Sequence, residues 1–148
     1  MDVMVVMDAS IWVSQLRPQD VNHNASRLWM ERYIAAGGLI VAPIFFLIEV
    51  AAAISRRTGE PALAKKAIED LNSLNAIQYV PLDSMLIEVV IEIASDLQLR
   101  AGDATYVAVA HQLNLPLVTW DKEQLQRGAI LLSTYTPITF PFELPEQS

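Results

Sequence analysis

Short apolar segments alternating with amphipathic helical segments predict an α/β fold, a three-layer α/β/α sandwich around a short central parallel sheet. Two observations carry this expectation. Val3 to Met7 is an unbroken apolar run rather than an alternating one, the pattern of a strand buried on both faces. Each later strand-like run is separated from the next by a helical pattern, so the connections are crossovers of the kind that parallel strands require. The 148 residues fit one domain over 1–148, with a core from about 3 to 133 and a Pro-containing tail over 134–148.

After the first strand, Asn22 or Asn24 supplies a capping residue for a helix carrying Leu28, Trp29, Tyr33 and Ile34 until Gly37 and Gly38 stop it. Leu39 to Val41 forms a second strand, and Pro43 takes the first-turn position of a helix running through Glu49 to Arg57 and Thr58, closed by Gly59. Glu60 or Pro61 opens a helix to about Ser73, and Ile77 to Val80 makes the third strand. Asp83 caps a helix whose apolar face is Met85, Leu86, Val89, Val90, Ile93, Ala94 and Leu97, with Glu88, Glu92 and Asp96 as a solvated stripe. Gly102 and Asp103 start a helix to Leu113, Leu115 to Thr119 is the fourth strand, and Ile130 to Leu132 is a fifth. Pro137, Pro141 and Pro145 keep the tail from being helical, while Tyr135, Phe140 and Phe142 suit extended packing.

Composition narrows the function. Hydrophobic residues are 53% and charged residues 18%, which excludes disorder, and no cysteine is present for a disulfide, a thiolate metal site or a nucleophile. The formal charge of −7 excludes a broadly cationic surface for coating nucleic acid, although a local basic patch at a cleft stays possible. Leu39 to Ile48, the most apolar stretch, is interrupted by Pro43 and falls far short of the roughly 20 residues needed to span a bilayer. No Lys or Arg precedes Arg17, so no cationic start of a signal peptide is visible and a cytoplasmic location is expected, with no membrane association.

Four acids carry the chemistry. Asp8 follows the first strand and Asp121 the fourth, and in open α/β sheets ligands bind at this carboxyl edge. Asp103, at a helix start, reads by itself as a cap. Glu49 is harder to place, because Ile44 to Ile48 and Val50 leave it few solvated positions and burying an unpaired carboxylate costs several kcal/mol. A bridge to Arg56 or Arg57 spans too many residues for direct pairing. Convergence of the four would call for a hard cation, Mg2+ or Mn2+, able to orient phosphate oxygens and activate water against a phosphodiester. Ser10 and Thr119 lie two residues from Asp8 and Asp121, where their hydroxyls either orient a carboxylate or make ordinary turn hydrogen bonds.

The order Met7-Asp8-Ala9-Ser10, Pro43 to Glu49, Leu99-Arg100-Ala101-Gly102-Asp103-Ala104, then Val118-Thr119-Trp120-Asp121 resembles a PIN domain, most of all the toxins of VapBC toxin–antitoxin systems. The resemblance runs from Val3 to about Leu132. It implies that Asp8, Glu49, Asp103 and Asp121 are the metal-binding catalytic acids of a Mg2+- or Mn2+-dependent endoribonuclease. It also implies a homodimer inhibited by a small antitoxin protein. Trp120 departs from the resemblance, filling a position that is more often small or polar, and the tail from Thr134 matches no pattern in it.

Arg56, seven residues beyond Glu49, falls on nearly the same helical face, and Arg100 and Lys122 flank two of the acidic motifs. These three are candidate RNA contacts, with ordinary surface charge as the other reading. Trp12 and Trp120 adjoin the motifs and fit either a core or a base-stacking role. His23 and His111 lack a partner at ligand spacing, and Glu123 is a second-rank metal candidate through water. A receiver-like signalling domain lacks its paired N-terminal acids here. A PIN-like module that binds RNA or protein without cutting it is the alternative to the enzyme.

Overall fold

Five parallel strands and seven helices make up residues 4–142, which a computed structural model of the chain describes. The first half contains β1 (Met4–Met7), α1 (Ala9–Leu16), α2 (His23–Ala35), β2 (Leu39–Pro43), α3 (Phe45–Thr58), α4 (Pro61–Asn72) and β3 (Ile77–Val80). The second half contains α5 (Ser84–Leu97), α6 (Ala101–Leu113), β4 (Leu117–Val118), α7 (Lys122–Gly128) and β5 (Thr134–Tyr135). The strand order is β3-β2-β1-β4-β5, with every neighbouring pair parallel.

β1 is the centre of the sheet. Val5, Val6 and Met7 are all fully buried, which is why this strand is apolar at every position instead of every second one. The chain builds outward from β1 to β2 and β3 on one side and later to β4 and β5 on the other. The strand order therefore reverses between β1 and β4, and such a switch point opens a crevice beyond the carboxyl ends of the two strands. Asp8 and Asp121 stand at that crevice.

Several boundaries differ from the sequence reading. α1 begins directly after β1 and has no signal in the sequence, because Asp8 makes no side-chain cap that would announce it. Pro43 is the last residue of β2, paired with Val80, and the following helix starts at Phe45. A proline is tolerated there because the next ladder bond runs from Ile44 N to Val80 O at 2.8 Å and needs no donor from residue 43.

β4 is shorter than Leu115 to Thr119, since Leu115 N bonds Ala110 O at 2.9 Å and belongs to the end of α6, where Asn114 is left-handed at φ 55°. The fifth strand is Thr134–Tyr135, paired with Leu117 and Val118, and not Ile130 to Leu132. Ile130, Leu131 and Leu132 form the turn leaving α7, with amides bonded to Arg127 and Gly128 carbonyls. The tail thus starts as a strand, and Phe140 packs edge-on against Trp29, Tyr33 and Tyr135. Val3 and the end of the tail lie outside the described residues.

The helical faces follow the sequence with exceptions. Asp83 caps α5 by accepting from Leu86 N at 2.8 Å, and Glu88, Glu92 and Asp96 are exposed. Met85 on α5 and Leu28 and Ile34 on α2 are exposed rather than in the core. No helix among the described residues is long and apolar enough to cross a membrane.

Candidate active site

Asp8 sits at the end of β1 with only 6% exposure. Its Oδ1 accepts from Ser10 Oγ at 2.5 Å and its Oδ2 from Gln124 Nε2 at 3.1 Å, and the Thr119 hydroxyl also hydrogen-bonds to the carboxylate. Burial dominates its chemistry and pushes its pKa up from 3.8 to about 7, against the opposing pull of these three donors and with a smaller push from the Glu49 charge.

Glu49 projects from the middle of α3, half-buried, and its Oε1 accepts from the Tyr106 hydroxyl at 2.5 Å. Neither Arg56 nor Arg57 pairs with it; Arg57 instead lies 4.0 Å from Asp20. Burial raises the Glu49 carboxyl above its usual range, Tyr106 lowers it, and the charges of Asp103 and Asp121 raise it further. The same surroundings drive the Tyr106 hydroxyl far up, first by burial and then by Glu49 and Asp8, so it stays a proton donor.

Asp103 lies in the first turn of α6, after the N-cap Arg100, and does not itself cap the helix. Its Oδ1 accepts from Gln124 Nε2 at 2.8 Å. Burial again raises it first, with Gln124 opposing, Asp121 raising, Arg100 lowering and Glu123 raising. Gly102 lets this helix start approach α3, because a Cβ there would stand 3.0 Å from the Phe45 ring and 3.6 Å from Glu49 Oε2. Asp121 is the N-cap of α7, its Oδ1 accepting from Gln124 N at 2.9 Å while its own N donates to Thr119 Oγ1 at 2.9 Å.

All four acids line one cleft of about 370 Å³, together with Ser10, Asp20, Arg57 and Trp120. The sheet's switch point explains why: β1 and β4 deliver Asp8 and Asp121, and α3 and α6 flank them with Glu49 and Asp103. Arg56, Arg100 and Lys122 are exposed and do not line this cleft; Arg57 does. Trp120 donates from Nε1 to Ser26 Oγ at 2.7 Å, and Ser26 Oγ in turn lies 2.6 Å from Ser14 Oγ, so the indole is anchored to α2. Trp12 is a core residue at 7% exposure. His23 Nδ1 meets Ser14 O at 3.0 Å in a structural role, and His111 is exposed. Glu123 lies 3.7 Å from Arg127 and does not line the cleft, although its charge raises Asp103.

Two residues of the site escaped the sequence reading. Tyr106 and Gln124 are 1% exposed, and Gln124 touches three of the four acids through its side chain and backbone. A neutral amide inside a helix carries no motif; its one signal is a position three residues after the acid that caps the helix.

Among the described residues no three acidic or histidine side chains form a ready ligand set around one point. The donors nevertheless suit a hard divalent cation: they are carboxylate oxygens, and burial together with mutual repulsion raises three of them, which is the penalty a cation relieves.

The PIN-domain family model matches residues 5–130, a span that contains all four acids. This chain belongs to the PIN domain family. The PIN fold is shared with FitAcB from Neisseria gonorrhoeae at 17% identity and TM-score 0.70, over 93% of this chain and 100% of that one. It is shared with VapC20 from Mycobacterium tuberculosis, described as a sarcin-ricin loop cleaving toxin, at 18% identity and TM-score 0.68, over 85% of this chain and 94% of that one. VapBC2 from Rickettsia felis, bound to a fragment of its promoter DNA, matches at 13% identity and TM-score 0.68, over 90% of this chain and 98% of that one. No curated protein matches this PIN-domain chain.

Proposed function

We propose that this PIN-domain protein is a metal-dependent endoribonuclease and the toxin of a type II toxin–antitoxin pair. The observation that carries the reading is the gathering of Asp8, Glu49, Asp103 and Asp121 in one cleft at the carboxyl edge of the sheet. These four residues would hold the cation, Mg2+ or Mn2+. When bound it would activate water and offset the charge that develops on an RNA phosphodiester.

The chain's own groups prepare that cleft. Ser10 and Thr119 fix the orientation of Asp8, and Tyr106 holds Glu49 with a hydroxyl that keeps its proton. Arg57 is the cation positioned to meet a substrate phosphate, with the exposed Arg56, Arg100 and Lys122 farther out. The toxin role draws on fold neighbours that are toxins or toxin–antitoxin complexes. It entails a cognate antitoxin partner, a homodimer and action in the cytoplasm.

The test is incubation of the purified protein with a pool of tRNA, rRNA and mRNA in Mg2+, Mn2+ or EDTA, beside Asp103→Asn. Discrete fragments that require metal and vanish in the variant support the reading. Indifference of both proteins to metal would move a non-cutting RNA- or protein-binding module ahead, a role also compatible with carboxylates already bridged by an amide.

A further inference from the structure

We propose that Gln124 is a positioning residue that sets how tightly the acidic cleft holds a divalent cation, by competing with the cation for Asp8 and Asp103. The inference rests on reading the cleft as a cation site. Gln124 Nε2 lies 3.1 Å from Asp8 Oδ2 and 2.8 Å from Asp103 Oδ1, so its two protons serve one carboxylate each. The side chain is 1% exposed, and its backbone N–H holds Asp121 as well.

A cation held by Asp8 and Asp103 would need the carboxylate oxygens, and with them the space, that the amide nitrogen occupies. The NH2 group carries partial positive charge, so amide and cation repel one another as well as overlap. One of them must yield.

The far end of the amide makes yielding easy. Gln124 Oε1 is buried and has no hydrogen-bond partner among the described residues, so no hydrogen bond ties that end down. Rotation about the side-chain bonds withdraws the NH2 group from the two carboxylates. The bridge to Asp8 and Asp103 thus belongs to the cation-free condition.

Linkage fixes the sign of the effect. An interaction made only without the cation lowers cation affinity, and removing it raises affinity. Gln124→Met keeps the side-chain length and removes the bridge, whereas Gln124→Asn keeps the amide and shortens it by one methylene so that it cannot span both acids. Calorimetric titration of the full chain with Mn2+ should show Gln124→Met binding about tenfold tighter than wild type, with Gln124→Asn shifted in the same direction. Melting in EDTA should be lower for both variants, with the deficit shrinking in Mn2+.

Equal or weaker Mn2+ binding by folded variants, or the same melting deficit with and without Mn2+, overturns the proposal. If Gln124→Met does not fold, Gln124→Asn carries the same readout. Failure of the wild-type protein to bind Mn2+ overturns the reading of the cleft itself, an outcome distinct from binding that Gln124 does not influence.

Discussion

Replacing Asp8 by Asn should make the cation-free protein more stable while removing its activity. Asp8 titrates near 7 in the fold against 3.8 for the free side chain. Below about pH 4 both folded and unfolded chains carry its proton, so the group costs nothing. As pH rises toward 7 the unfolded chain releases the proton and the folded chain keeps it. Stability then falls by about 1.4 kcal/mol per pH unit, roughly 4 kcal/mol in all.

The Asp8→Asn substitution removes that penalty, and the new side chain still accepts from Ser10, but its NH2 would face the Gln124 Nε2 that Asp8 accepts from. A lost charge-assisted bond of this kind returns about 1.5–3 kcal/mol. The net gain at about pH 8 is roughly 2 kcal/mol, or about 4–8 °C in melting temperature for a chain of this size. Thermal melts in EDTA at about pH 8 and pH 4.5 read it directly: the variant should melt higher at the first and show no advantage at the second. Saturating Mn2+ should reverse the order at pH 8, because only the wild type gains the bound cation. An advantage of equal size at both pH values, or none at pH 8, would refute the electrostatic argument.

Other perturbations follow from the same geometry. Tyr106→Phe removes the hydroxyl that holds Glu49 and should lower metal-dependent RNA cleavage by about tenfold in single-turnover assays, without altering the overall fold seen by circular dichroism. Ser10→Ala deletes both a donor to Asp8 and an acceptor for Trp120 N, and calorimetry should show Mn2+ affinity reduced by about 10-fold or more. Gly38→Ala forces a methyl group to 2.4 Å from the Tyr33 ring, which packs on Trp29 and Phe140; urea unfolding should show a loss of about 1–3 kcal/mol with the acidic cleft unaffected.

The central strands were readable because burial on both faces leaves an unmistakable mark: Val5, Val6 and Met7 are all apolar and all at 0% exposure. The helices with strong stop signals, such as Gly59 closing α3 in the left-handed region, were equally plain. What was not readable depends on contacts distant in sequence. Nothing in Thr134 and Tyr135 announces a strand; they become one because Leu117 and Val118 present an open edge. α1 was hidden because its start is set by the end of β1 rather than by a capping side chain. The four acids could be singled out one by one, yet their gathering is a property of the strand order. Gln124 and Tyr106 could not be, since an amide 116 residues from Asp8 and a phenol 57 residues from Glu49 acquire meaning only once the chain has folded.

The most direct test of the central claim, that the four carboxylates form one hydrolytic site, is a single-turnover cleavage series on one RNA substrate across a Mn2+ titration. It would compare wild type with Asp8→Asn, Glu49→Gln, Asp103→Asn and Asp121→Asn. The account predicts that cleavage requires Mn2+ and that each substitution lowers the rate by about 100-fold or more. Retention of wild-type rates by any one variant, or cleavage undiminished in EDTA, would contradict it.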